Sequence, residues 1–127
     1  MVKTGVVGTM KQICVKTLND SEILKDLFSK RQVADYGYYN GYPWLIIDNS
    51  SHYCAYIGLP ESHEYYGKSC GDIDLDVNGG ITYSEKSGTG WIVGWDYLHS
   101  WNLINKPTLK DVRTDIINTI EIGRAHV

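Results

Sequence analysis

The densest chemistry in the sequence lies between Tyr66 and Asn78. Asp72, Asp74 and Asp76 alternate with Ile73, Leu75 and Val77, and Asn78-Gly79-Gly80 follows. Strand side chains have a period of two, so the carboxylates and Asn78 would share one face and the aliphatics the other. Carboxylates spaced about 7 Å apart along such a face repel one another unless water, a cation or a hydrogen-bonding ligand compensates them. A solvated sheet face is one reading. A hard-cation site is a second, although the spacing lacks the looped acidic pattern of calcium motifs. The third is a surface that accepts ribose hydroxyls and ring N–H donors, as carboxylates do in dinucleotide sites. Lys68 and the amides around Gly67, Gly71, Gly79 and Gly80 would then hold an anionic group. Gly67-Lys68-Ser69 is not a phosphate loop, because Ser62 stands where that motif needs glycine.

Downstream, Trp91, Val93 and Trp95 fall on one strand face and Ile92, Gly94 and Asp96 on the other. Gly94, small between large neighbours, marks a close approach of backbone or ligand. Asp96 and His99, at the strand end, are placed to hydrogen-bond a partner. Tyr66, Tyr83 and Trp95 supply rings for stacking. The stretch Tyr36–Trp44 reads as an aromatic loop, suited to a stacking lid or an oligomer contact. His52, Cys54, His63, Cys70 and His99 could make a metal site or a Cys–His pair only if the fold gathered them. No acid or oxyanion-type elbow is recognisable beside either cysteine.

The elements that must position these residues form an α+β pattern. Asn19 and Glu22 have capping-box spacing, and Ile23, Leu24, Leu27 and Phe28 repeat at helical intervals, predicting a helix over about 20–31. Thr108 and Asp111 repeat the signature ahead of Val112, Ile116 and Ile120, predicting a C-terminal helix over about 108–120. Between them short β-branched and aromatic runs predict strands at 44–48, 52–57, 72–77, 81–84 and 91–95, with 11–18 as a sixth. Asn78-Gly79-Gly80 would be the tight turn of a hairpin. Consecutive strands with short turns give an antiparallel sheet of five to six strands. At 127 residues the chain is one domain. The final Glu121–Val127 stretch resembles a translated sequencing adaptor, so the natural domain is expected over 1–120, with a non-native tail over 121–127. Met10 is an alternative start.

Composition narrows the function. A net charge of −3 is the wrong sign for a long nucleic acid, whereas a small nucleotide needs only one or two donors. No apolar run reaches the length of a membrane helix and no secretory leader is recognisable, so a cytoplasmic protein is expected. Three cysteines without paired spacing fit that compartment. Ten tyrosines and four tryptophans beside one phenylalanine favour surfaces that are apolar at one end and wet at the other, as in ligand pockets and subunit interfaces.

The core from Tyr53 to Trp101, with Tyr66-Gly67-Lys68, Asp72-Ile73-Asp74-Leu75-Asp76-Val77, Gly79-Gly80-Ile81-Thr82-Tyr83-Ser84 and Trp95-Asp96 through His99, resembles a group of small phage and prophage proteins of unassigned role. That group usually carries histidine where Asn78 stands. The resemblance implies a viral accessory protein in the cytoplasm of an infected bacterium. By analogy with phage sponges, the expected function is sequestration of a small host nucleotide signal, cyclic or ADP-ribose-derived, without turnover and without a cofactor, by a homo-oligomer. The expected ligand-binding residues are Tyr66, Lys68, Asp72, Asp74, Asp76, Asn78, Gly79, Tyr83, Trp95, Asp96 and His99. Two alternatives remain. One is a metal-dependent phosphodiesterase using Asp72, Asp74, Asp76 and Asp96, with His99 as acid or base. The other is a protein-interaction inhibitor of a host enzyme, acting through the aromatic loop.

Overall fold

The computed structural model describes residues 23–125, and the expected strand at 11–18, the alternative start at Met10 and the capping pair Asn19 and Glu22 lie outside them. The class is α+β: one five-stranded antiparallel sheet with helices from both ends of the chain. The elements in chain order are α1 (Lys25–Lys30), β1 (Val33–Tyr39), β2 (Tyr42–Asp48), β3 (Tyr53–Leu59), β4 (Tyr83–Ser87), β5 (Gly90–Asp96), α2 (Ser100–Ile104) and α3 (Leu109–Ala125). The sheet order is β1-β2-β3-β5-β4. The strands β3 and β4 are therefore parallel to each other with β5 between them, and residues 60–82 form the crossover.

The expected aromatic loop is the first hairpin. Asn40 and Gly41 both take positive φ, 51° and 85°, which is the geometry of a two-residue turn matched to strand twist. Tyr39 pairs with Tyr42 across it. Pro43 is tolerated because β2 begins to pair with β3 only at Trp44. The Trp44 ring lies over Gly37, where a Cβ would come within 2.8 Å of it.

Strand alternation sorts the core onto two faces. Trp44, Ile46, Ala55, Ile57, Leu59, Val93 and Trp95 face α3, which contributes Val112, Ile116 and Ile120. Leu45, Ile47, Cys54, Tyr56 and Ile92 face the other way, toward Leu24, Leu27 and Phe28 of the α1 region. Ile23 fits there because Gly58 and Gly90 leave room, and a Cβ at either would come within 2.8 Å of it. The helix α3 starts on a reciprocal cap: the Thr108 amide donates to Asp111 Oδ2 (2.9 Å) and the Asp111 amide to Thr108 Oγ1 (3.1 Å). It extends past Ile120, and its Glu121 carboxylate accepts from the Tyr39 hydroxyl and from Asn40 Nδ2.

The expected strand at 72–77 and its hairpin are corrected. Cys70–Asp72 is one turn of 3₁₀ helix, and 73–82 carries no ladder pairing. The reason is topological: β3 is flanked by β2 and β5, and β5 by β3 and β4, so no position in the middle of the sheet is open. The alternation survives as burial. Ile73, Leu75 and Val77 pack onto the α3-side core, while Asp72, Asp74 and Asp76 point to water. Asn78-Gly79-Gly80 is still a tight turn, with the Gly80 amide donating to the Val77 carbonyl at 2.9 Å.

Candidate functional site

The expected site residues fall into separate places. Tyr66 and Lys68 lie by the start of β5, where the Tyr66 ring meets Trp91 at 5.6 Å and the Lys68 carbonyl accepts from Ser84 Oγ. Asp96 closes the far end of that strand, about 17 Å from Trp91 at the rise of an extended chain. Lys68 is not among the residues that line the pocket at Asp96. Asp72 accepts from Ser69 Oγ at 3.1 Å, and the Asp74 carbonyl from the Tyr65 hydroxyl at 3.2 Å. Trp95 is a core residue: its ring is 1% exposed and its indole N–H donates to the Tyr97 hydroxyl (3.0 Å), so it cannot stack on a ligand. The four carboxylates of the phosphodiesterase reading do not converge. Among the described residues no group of three His, Cys, Asp or Glu side chains is arranged to hold a metal ion.

Asn78, Gly79, Asp96 and His99 do come together, as a polar knot. Asn78 Nδ2 donates to the Asp96 carbonyl (3.1 Å) and to Asn102 Oδ1 (2.8 Å), and Asn78 Oδ1 accepts from Trp101 Nε1 (2.9 Å). The His99 ring stacks on Trp101 at 4.8 Å. It also presses on Gly79, whose φ of 76° and lack of a side chain are both needed. A Cβ there would stand 2.0 Å from His99 Nε2. That nitrogen is the one buried side-chain polar atom among the described residues without a hydrogen bond, and it lies 3.5 Å from Asp96 Oδ1. The knot ties the crossover to the end of β5.

That carboxylate opens onto the α1-side face of the sheet, into a hollow of about 230 Å³ lined by Cys54, Tyr56, Thr82, Tyr83, Trp95 and Asp96. Tyr56 and Tyr83 both stand opposite Gly94 in the ladder, and their rings meet edge to face at 5.3 Å. A Cβ on Gly94 would come within 2.6 Å of the Tyr56 ring and 2.8 Å of the Ala55 carbonyl. Gly94 is thus the close approach its sequence setting suggests, with a tyrosine filling it. Asp96 Oδ1 accepts from the Leu98 amide (3.1 Å) and Oδ2 from Thr82 Oγ1 (3.3 Å). Both oxygens keep a lone pair for a further donor.

Burial and nearby charge act on the ionisable groups of this hollow. Burial pushes Tyr56 up to about 12, and burial also raises Tyr83 and Cys54, the latter helped by the Asp96 charge. The Arg31 guanidinium opposes all three shifts, although it is not among the residues that line the hollow. Cys54 is therefore a protonated thiol at neutral pH and a poor nucleophile. Sequence reasoning missed Arg31, Tyr56 and Thr82. The alternation of Cys54 and Tyr56 opposite Gly94 carried a signal for Tyr56. Nothing local marked Arg31, which the fold brings in from the end of α1.

Compared with protein-family models, curated proteins and solved structures, the chain matches none. No helix among the described residues is long and apolar enough to cross a membrane.

Proposed function

We propose that this is a phage accessory protein that binds a small host nucleotide signal, such as a cyclic or ADP-ribose-derived messenger, and holds it without turnover in the cytoplasm of the infected cell. The observation that carries the reading is the hollow in which the Tyr56 and Tyr83 rings and the Asp96 carboxylate converge, with the Arg31 charge acting on both rings. Each group suits one part of a nucleotide. A base stacks on tyrosine for about 1–3 kcal/mol, ribose hydroxyls donate to Asp96, and a phosphate pairs with Arg31. The hollow is smaller than the roughly 300–1,000 Å³ of sites that enclose a drug-sized ligand, so one copy takes one nucleoside unit. A second copy would cover the remainder, and Leu98 and Trp101, 51% and 54% exposed beside Asp96, offer it an apolar contact.

The test is calorimetric titration with a panel of mononucleotides, cyclic dinucleotides and ADP-ribose derivatives, followed by heat release and chromatography of the bound compound. Recovery of intact ligand supports sequestration, and recovery of product replaces it with turnover. Tyr83→Ala should weaken binding roughly 5- to 150-fold, the equivalent of one stacking contact. Arg31→Gln should weaken phosphorylated ligands but not nucleosides. Failure of the whole panel to bind overturns the reading. The stretch that the inhibitor reading uses is a hairpin, with Tyr36 exposed and Trp44 buried.

A further inference from the structure

A second cavity, of about 300 Å³, opens between the β2–β3 turn and the linker from α2 to α3. It is independent of the hollow beside Tyr83, and the proposed function does not use it. We propose that it binds a small organic oxyanion, a carboxylate or phosphate carried on a compact flat body.

The cation is Lys106, in the linker, whose ammonium forms no ion pair among the described residues. The one carboxylate in the lining, Asp48, is turned to its own loop. Its Oδ1 accepts from the Ser50 amide at 2.9 Å and closes the β2–β3 turn. Ser50 is held there at a φ of 72°, in a region that residues other than glycine take uncommonly. One oxygen of the acid is thus engaged by the turn, and Lys106 forms no ion pair with it.

Two further donors face the same space. Ser51 Oγ lies 2.8 Å from His52 Nδ1, whereas His52 Nε2 has only Asn49 Nδ2 at 3.5 Å, too long for a strong bond. With Asn49 Nδ2 donating to Nε2, His52 Nδ1 donates to Ser51 Oγ and leaves the Ser51 hydroxyl proton for an acceptor. The Ser50 hydroxyl is a second donor from the same turn. Tyr53 and Pro107 supply the apolar wall against which a flat body would lie. An ammonium and two hydroxyls around one small space form a donor set that matches an oxyanion.

The experiment titrates the whole chain with inorganic phosphate and, separately, with benzoate, each against chloride at equal ionic strength, and follows assigned backbone amides by NMR. Saturable shifts confined to Ser50–Tyr53 and Asn105–Lys106 are expected. Lys106→Gln should weaken them by roughly tenfold or more, the loss of one charge-assisted hydrogen bond. Tyr83→Ala should leave them unchanged, which separates this site from the hollow. Tighter binding of benzoate identifies a carboxylate on a flat body, and tighter binding of phosphate a phosphate ester. Absence of saturable shifts with both probes, or equal affinity in Lys106→Gln, overturns the proposal.

Discussion

Replacing Tyr97 with phenylalanine removes one oxygen and tests the central polar contact between the sheet and α3. The Tyr97 hydroxyl accepts from the indole of Trp95 at 3.0 Å and donates to Asp115 Oδ2 at 2.7 Å. It is buried, which pushes its ionisation well above the usual tyrosine range. Losing the bond to the carboxylate costs about 1.5–3 kcal/mol, and stranding a buried donor costs about 1–3 kcal/mol. Asp115 is exposed and regains water, so its share falls at the low end, but the Trp95 N–H has no route to solvent. The sum is about 2.5–4.5 kcal/mol, a large part of the roughly 5–15 kcal/mol of a typical domain. Urea unfolding followed by far-ultraviolet circular dichroism and by tryptophan fluorescence measures it, with the slope expected to be unchanged. A cycle with Asp115→Ala then isolates the coupling between the two side chains. A loss below about 0.5 kcal/mol, typical of a surface substitution, would refute the reasoning.

Gly94→Ala should cost about 1–3 kcal/mol, as overpacking does, because the new methyl meets the Ala55 carbonyl as well as the Tyr56 ring. It should also split the Tyr56–Tyr83 ring pair, read as a change in near-ultraviolet circular dichroism. Gly79→Ala should be more damaging than Gly80→Ala in thermal melts: both take positive φ, but only Gly79 lies against another side chain, the His99 ring. Burial holds His63 below its usual range, so the stability it contributes is present above pH 6.5 and lost as the pH falls through the folded-state value. Tyr56 shifts the opposite way. The unfolded chain ionises first above pH 10, and stability present below that value is lost as the pH rises toward 12. Denaturant midpoints across both ranges check the two signs.

Elements set by local pattern were legible in the sequence. The Thr108–Asp111 cap and the spacing of Val112, Ile116 and Ile120 give α3, and β-branched and aromatic runs give β2, β3 and β5 near their observed bounds. Asn40-Gly41 was an available hairpin signal, masked by reading the surrounding glycines and Pro43 as a loop. The Asp72–Val77 segment shows the limit more clearly. Alternation reports which side chains are buried, and it does so correctly here, but it cannot report whether a ladder partner exists. Partnering is decided by strand order. The candidate site was legible in pieces: Tyr83 and Asp96 share the hollow, and Asn78, Gly79 and His99 support it from behind. Lys68, assigned to the anion, does not line the hollow, and the charge effect of Arg31 on Tyr56 and Tyr83 has no sequence signature, because it acts between separate elements.

The crossover between β3 and β4 bears on how the chain could be divided. A cut at the exposed Lys68–Ser69 bond would leave β1, β2 and β3 on one fragment and β4, β5 and α3 on the other. Neither piece could shed its partner cheaply, since α3 lies across the first three strands and β5 docks along β3. The two halves should reassemble from separate polypeptides, making this small fold a natural scaffold for split-reporter complementation.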